Sequence, residues 1–476
     1  MMRALGHSPV RGIGNTLRLL GACIAVLGAA GCGDDDIMTP LPETTFTLRI
    51  ENVSQAYSLS KSGVFSVPVG SGQAGPIGPG GAYEFSFSAP PGSWLSFATM
   101  FVPSNDFFYA PDETGIALFN PANGSPVSGD VTAQVSLWDA GTEINQEPGL
   151  GGDQVQRQMG ANTGAADPNN SVRTAPDDFN NLPATGDVLR VTIVSSQSKT
   201  GMNGTEVTAN TQFTVRIENV SSGTTLGTSD SMTQAVPLSP GAWAVHTTSG
   251  PLFSIGQPDR DIGLEGIAED GDTTAMGSYL SGVTGLTVPL SPGVWALHSD
   301  PDPLFTALMA DRGDGLEAIA EDGNPGQLAA ALDADASILE SAIFNTPVGS
   351  MGAGPIGPGG AYEVTFDAGN SDRLSFATMF VESNDLFYAP NGSGIALFEA
   401  NGDPITGDVT SQVQLWDAGT EVNEEPGVGT NQVKFQAAAN TGPAENGTVR
   451  EISQVSDGYT YPSTASVIRV TITPNP

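Results

Sequence analysis

GPIGPGGAYEFSFSAPPGSWLSFATMFVPSNDFFYAP begins at Gly75, and GPIGPGGAYEVTFDAGNSDRLSFATMFVESNDLFYAP begins at Gly354. Each copy runs on into GIALF and then LWDAGTE, at Leu137 and again at Leu415. The period between the copies, 279 residues (354 − 75), is far too long for a solenoid, so the repeat reads as two homologous domains in tandem. The flanks agree. FTLRIENV from Phe46 returns as FTVRIENV from Phe213, and VLRVTIV from Val188 returns as VIRVTIT from Val467. These strings alternate apolar and polar residues with a period of two, which predicts half-buried β-strands. The domains are therefore expected at 44–196 and 212–473, joined by a polar linker at 197–211. The expected fold class is all-β: two antiparallel β-sandwiches, the second carrying a partly helical insertion.

The offset between copies is 167 at FTLRIENV (213 − 46) but 279 at GPIGPGG (354 − 75). About 112 residues (279 − 167) have thus been gained in the second domain or lost from the first. The extra segment, 223–341, is itself duplicated. VPLSPGAWAVH from Val236 matches VPLSPGVWALH from Val288, followed by GLEGIAEDG and GLEAIAEDG. Helices are expected mainly between Gly263 and Ser341. GQLAAALDADASILES offers the clearest amphipathic helix, with Leu328, Leu332 and Ile338 on one face.

Composition narrows the function. The 476 residues include 52 acidic and 16 basic side chains, a net charge of −36. Nucleic acid needs clustered Lys and Arg, so it is excluded as a partner. An acidic surface also repels anionic lipid and attracts cations. The first 31 residues read as a signal peptide, with Arg3, Arg11 and Arg18 ahead of the apolar LLGACIAVLGAAG. That core ends at Cys32, which resembles the lipidated cysteine of a bacterial lipobox, and residues 32–43 read as a tether. The expectation is an exported lipoprotein of the bacterial envelope, in the outer membrane or on the cell surface, touching membrane only through Cys32. No other stretch has the apolar length to span a bilayer.

The chain contains three histidines and two cysteines. It has no nucleophile elbow, no HExxH and no P-loop, and the G-x-G-x-x-G matches at Gly70 and Gly352 lead into Pro-rich loops and strands. His246 and His298 each lack a spaced partner and are expected to be packing or turn residues. What repeats is a set of carboxylates: Asp106, Asp139 and Glu143 in the first copy, Asp385, Asp417 and Glu421 in the second. Loop carboxylates at a sandwich edge supply the hard oxygens that Ca²⁺ takes, six to eight at flexible geometry.

ATMFVPSNDFF and ATMFVESNDLF, each followed at a distance by WDAGTE, resemble the spondin domain of F-spondin and mindin. In that family an S-x-D-W-F string and a Y-D-A-G-T-D string lie on an antiparallel β-sandwich and their acidic residues hold calcium. The resemblance implies one Ca²⁺ per domain, at Asp106, Asp139 and Glu143 and at Asp385, Asp417 and Glu421. It also likens the VWALH segment and its acidic helix to the family's first half, which the first domain lacks on this reading. Phe107 and Leu386 replace the family's tryptophan, and Glu143 and Glu421 its last aspartate. Glu84 and Glu363 align too loosely to be assigned. A non-enzymatic binding or adhesion module is expected, with an extracellular protein or glycan as partner. A carboxylate-dependent glycan hydrolase and an acidic structural spacer are the alternatives.

Overall fold

The computed structural model describes residues 43–200 and 207–475. The expected signal peptide, Cys32 and all but the last residue of the tether lie outside them. Among the described residues the fold is built from antiparallel sheets and a few short helices, and no helix is long and apolar enough to cross a membrane.

Two cores organise the sheets, and they do not follow the linear boundaries at 44–196 and 212–473. In lobe 1, one sheet runs in the order Ala82–Ser88, Val207–Asn219, Leu189–Thr200, Gly129–Asp130. It faces a second sheet ordered Lys61–Phe65, Leu238–His246, Trp94–Phe101, Phe107–Pro111, Val135–Asp139, Arg173–Thr174. Lobe 2 repeats the pattern with Ala361–Ala368, Thr44–Asn52, Ile468–Asn475, Gly407–Asp408 opposite Ile338–Phe344, Leu290–His298, Arg373–Phe380, Leu386–Pro390, Val413–Asp417, Arg450–Glu451. Phe46, Leu48 and Ile50 are thus buried in lobe 2, whose other residues begin near Val288. Phe213, Val215 and Ile217 are buried in lobe 1.

The topology resolves the 112-residue discrepancy. Nothing is missing from the first copy, because its front half is the segment from Val236 to Val283, which follows its back half in the chain. Lobe 1 is a circularly permuted version of lobe 2, inserted between the first strand of lobe 2 and the remainder. Permutation is tolerated where the joined ends are neighbours in space. They are: in lobe 2 the strands Thr44–Asn52 and Ile468–Asn475 pair without being joined, Leu48 opposite Ile472 and Ile50 opposite Val470. In lobe 1 the same two strands form one hairpin, Val215 opposite Ile193 and Ile217 opposite Val191. The described parts of the stretch expected to be a linker, 197–200 and 207–211, continue the two strands of that hairpin, with Thr200 still paired to Val207.

Inner strands of the four-stranded sheets alternate as their sequences require: Thr44–Asn52 buries Phe46, Leu48, Ile50 and Asn52 on one face. The central strands of the larger sheets do not alternate, because both of their faces are covered. Trp94–Phe101 is buried at seven successive positions from Leu95. Phe97 and Phe101 point into the sandwich, while Ala98 meets the helices Leu264–Asp270 and Thr274–Val283 through Leu264, Ile267, Met276 and Leu280. Leu316, Ile319, Leu328 and Leu332 cover lobe 2 in the same way. The helix expected through Ile338 stops at Ala334. Ile338 instead opens the strand Ile338–Phe344, where β-branched and aromatic residues find a sheet edge at Leu290–His298.

Asn52 and Asn219 lock each repeated strand to its lobe. The Asn219 amide donates to Ile77 O and Val236 O, and its Oδ1 accepts from Ser221. Asn52 does the same with Val288 O, Ile356 O and Ser54. Between the lobes, Glu425 accepts hydrogen bonds from Lys61 at 2.8 Å and Ser88 at 2.7 Å.

Candidate metal centre

The carboxylates are assembled by two turns at one end of the sandwich. After Arg373–Phe380 the chain turns through Ser383, whose hydroxyl donates to Phe380 O and accepts from Leu386 N–H. That turn delivers Asp385 to the end of the strand Leu386–Pro390. Asp385 Oδ2 then accepts the backbone N–H groups of Thr420 and Glu421, both at 3.1 Å. Asp417 ends its own strand and accepts Gly419 N–H at 2.6 Å through Oδ1. Gly419 sits at φ +69°, a conformation that favours glycine. Asn423 donates to the other oxygen of Asp417 at 3.1 Å. Lobe 1 reproduces each contact with Ser104, Asp106, Asp139, Gly141 and Asn145.

Sequence reasoning placed Asp106 with Asp139 and Asp385 with Asp417, and the structure brings each pair together at full burial. The third residue needs correction. In lobe 2 the carboxylates that converge are Asp385, Asp417 and Glu445, with one oxygen of each within 4.8 Å of the others. Glu421 presents its backbone N–H to Asp385. Its carboxylate accepts from Gly442 N–H at 2.7 Å and Asn384 at 3.3 Å. Gly442 is required there, since a Cβ would lie 2.0 Å from Glu421 Oε2. Glu143 is held likewise by Gly164.

Arg450 also escaped sequence reasoning. Its guanidinium contacts Asp417 at 3.1 Å and Glu445 at 2.5 Å. Arg173 bridges Asp139 and Asp167 in lobe 1, both at 2.6 Å. Asp167 corresponds to Glu445 and is one methylene shorter. One of its oxygens goes to Arg173 and the other accepts Asn169 N–H, and it makes no comparably tight triad among the described residues.

A cation fits the lobe 2 residues. Asp385 Oδ1, Asn423 Oδ1 and Glu445 Oε2 are buried hard-oxygen atoms with no hydrogen-bond partner. Such atoms carry a desolvation penalty that a ligand would offset. Three carboxylates and one guanidinium sum to −2, the complement of a divalent ion. Without an ion the strain shows as proton affinity. Burial, then the charge of Asp139, pushes Asp106 up to about 8. Burial, then Asp417, raises Asp385 well above the usual range.

The remaining expectations divide. His246 and His298 are packing residues: each ring sits 2.9 Å from a buried serine hydroxyl, Ser96 or Ser375, and holds a backbone carbonyl with its other nitrogen. Glu84 and Glu363 lie on strand surfaces facing Arg216 and Arg49, away from the cluster. Asp259, Asp261 and Glu265 also converge within 4.8 Å, but Gly313 stands at the place of Asp261 in lobe 2. No protein-family model matches the chain, and no curated protein matches it.

Proposed function

We propose that the chain is a non-catalytic binding module of two spondin-like lobes on a bacterial envelope, each lobe steadied by Ca²⁺. Asp385, Asp417 and Glu445 would hold the ion in lobe 2, and Asp106 and Asp139, helped by Asp167, in lobe 1. Bound calcium supplies fixed positive charge that ties the SND turn to the WDAGT turn. The observation carrying this reading is the set of buried, unpartnered oxygens around Asp385 in a cluster of net charge −2. The full burial of Asp106, Asp139, Asp385 and Asp417 supports binding over glycan hydrolysis, in which two acids must flank a sugar bond. Export, lipidation at Cys32 and an extracellular protein or glycan partner belong to the same proposal and follow from the sequence.

Thermal melting tests it. An ion that binds only the folded state stabilises by about 2.7 kcal/mol at a hundredfold excess over Kd. That raises the Tm of a lobe of this size by roughly 5–10 °C relative to chelator. Asp417→Asn should remove the rise for lobe 2 alone. A Tm that chelation leaves unchanged contradicts the proposal.

A further inference from the structure

The helices of the duplicated segment carry a second set of acids that the triads do not use. In lobe 2 the helix Leu316–Asp322 places Glu317, Glu321 and Asp322 around a cavity of about 210 Å³. Gln327 and Asn440 complete its polar lining, and no Lys or Arg borders it. Two of the acids are held from one side by amides. Asn440 donates to Glu317 at 2.6 Å, and Gln436 donates to Asp322 at 2.7 Å.

Glu321 differs from both. It is 1% exposed, yet neither of its carboxylate oxygens has a hydrogen-bond partner. A buried carboxylate with both oxygens unpaired and no basic neighbour is costly, and folding does not force it, because the helix surface could have carried an alanine there. Lobe 1 repeats the arrangement. Glu269 is also 1% exposed with both oxygens unpartnered. Asn162 donates to Glu265 at 2.7 Å and Gln158 to Asp270 at 2.5 Å. So the two helices, 52 residues apart in sequence (321 − 269), meet loops from a different repeat offset of 278 (440 − 162) in the same five-residue pattern.

We propose that each lobe holds a second hard divalent cation, at Glu317, Glu321 and Asp322 in lobe 2 and at Glu265, Glu269 and Asp270 in lobe 1. Three carboxylates, amide oxygens of Gln327 or Asn440 and water make the all-oxygen shell such an ion takes. The site shares no carboxylate with Asp385, Asp417 and Glu445, so it stands whether or not that triad binds calcium. The amides that orient Glu317 and Asp322 leave the unpaired oxygens of Glu321 as the central ligand.

Calcium calorimetry on the full chain, with stoichiometry read for wild type and two paired variants, separates the sites. Wild type should bind four ions. Glu269→Gln with Glu321→Gln should leave two, and Asp106→Asn with Asp385→Asn should leave the other two. Glu317→Gln, altering a partly exposed residue, should weaken one ion of the four if the buried variants fail to fold. A wild-type stoichiometry of two that Glu269→Gln with Glu321→Gln does not change overturns the second site and spares the triads. A wild-type stoichiometry of two in which either paired variant abolishes both ions also overturns it, because the buried glutamates then belong to the first site. Two ions lost only with the glutamate pair support the second site and overturn the triads.

Discussion

Deleting Thr44–Asn52 should unfold the lobe that lies farthest along the chain and leave its sequence neighbour folded. Phe46, Leu48 and Ile50 are each at most 1% exposed and sit in the lobe 2 core. Burying three such side chains contributes about 5–9 kcal/mol, comparable to the roughly 5–15 kcal/mol that holds a whole domain. The deletion also leaves Ala361–Ala368 and Ile468–Asn475 facing an empty place in the sheet, with both ladders open. Calorimetric melting should show one transition lost and one kept. The milder substitutions report the same crossing. Ile50→Ala should lower the lobe 2 transition, and Ile217→Ala the lobe 1 transition, each by about 2–5 kcal/mol. If Ile50→Ala lowers the transition assigned to lobe 1, the strand assignment is wrong.

The second large effect is on pH. Burial pushes Asp106, Glu269 and Glu321 up to about 8 and Glu421 up to about 7. In the unfolded chain such groups titrate near 4. The folded state therefore holds more protons between pH 4 and 8. Stability is fully present below pH 4 and is lost as pH rises toward 8, provided no cation is bound. Calcium should reverse the trend, since an ion replaces the protons and binds better where they leave. Its affinity should rise about tenfold per pH unit for each proton displaced. Melting at pH 5 and pH 8, with chelator and with calcium, checks both signs. Chelated protein that is more stable at pH 8 than at pH 5 contradicts the burial account of these carboxyls.

Much of this was legible in the sequence, and the failures have physical causes. FTLRIENV and FTVRIENV announce strands because the period of two is local, and so do the helices around GLEGIAEDG and GLEAIAEDG. Which lobe each strand joins is not local. Both strings bury the same pattern, and the choice is made by partners such as Tyr362 and Tyr83, hundreds of residues away in one case. The duplicated VPLSPG segments held the clue, since two front halves and two back halves make two complete lobes. Asp139 and Asp417 were legible because they end apolar strands, and Asp106 and Asp385 because they recur in the SND turn. Glu421 was misplaced because a turn that brings a residue near an aspartate fixes its backbone, not its side chain. Glu445 lies in a long loop without periodicity, and Arg450 opens the two-residue strand that follows it, so only their recurrence as Asp167 and Arg173 marks them.

Calcium titration of wild type against Asp385→Asn with Asp417→Asn, at pH 7.5 and followed by calorimetry, bears most directly on the metal centre. The account predicts that the variant folds, loses the triad ion of lobe 2, and keeps the ion at Asp106 and Asp139 in lobe 1, which should be the weaker of these two because Asp167 does not complete its triad. Wild-type protein that takes up no calcium, or a variant that binds it as wild type does, would contradict it.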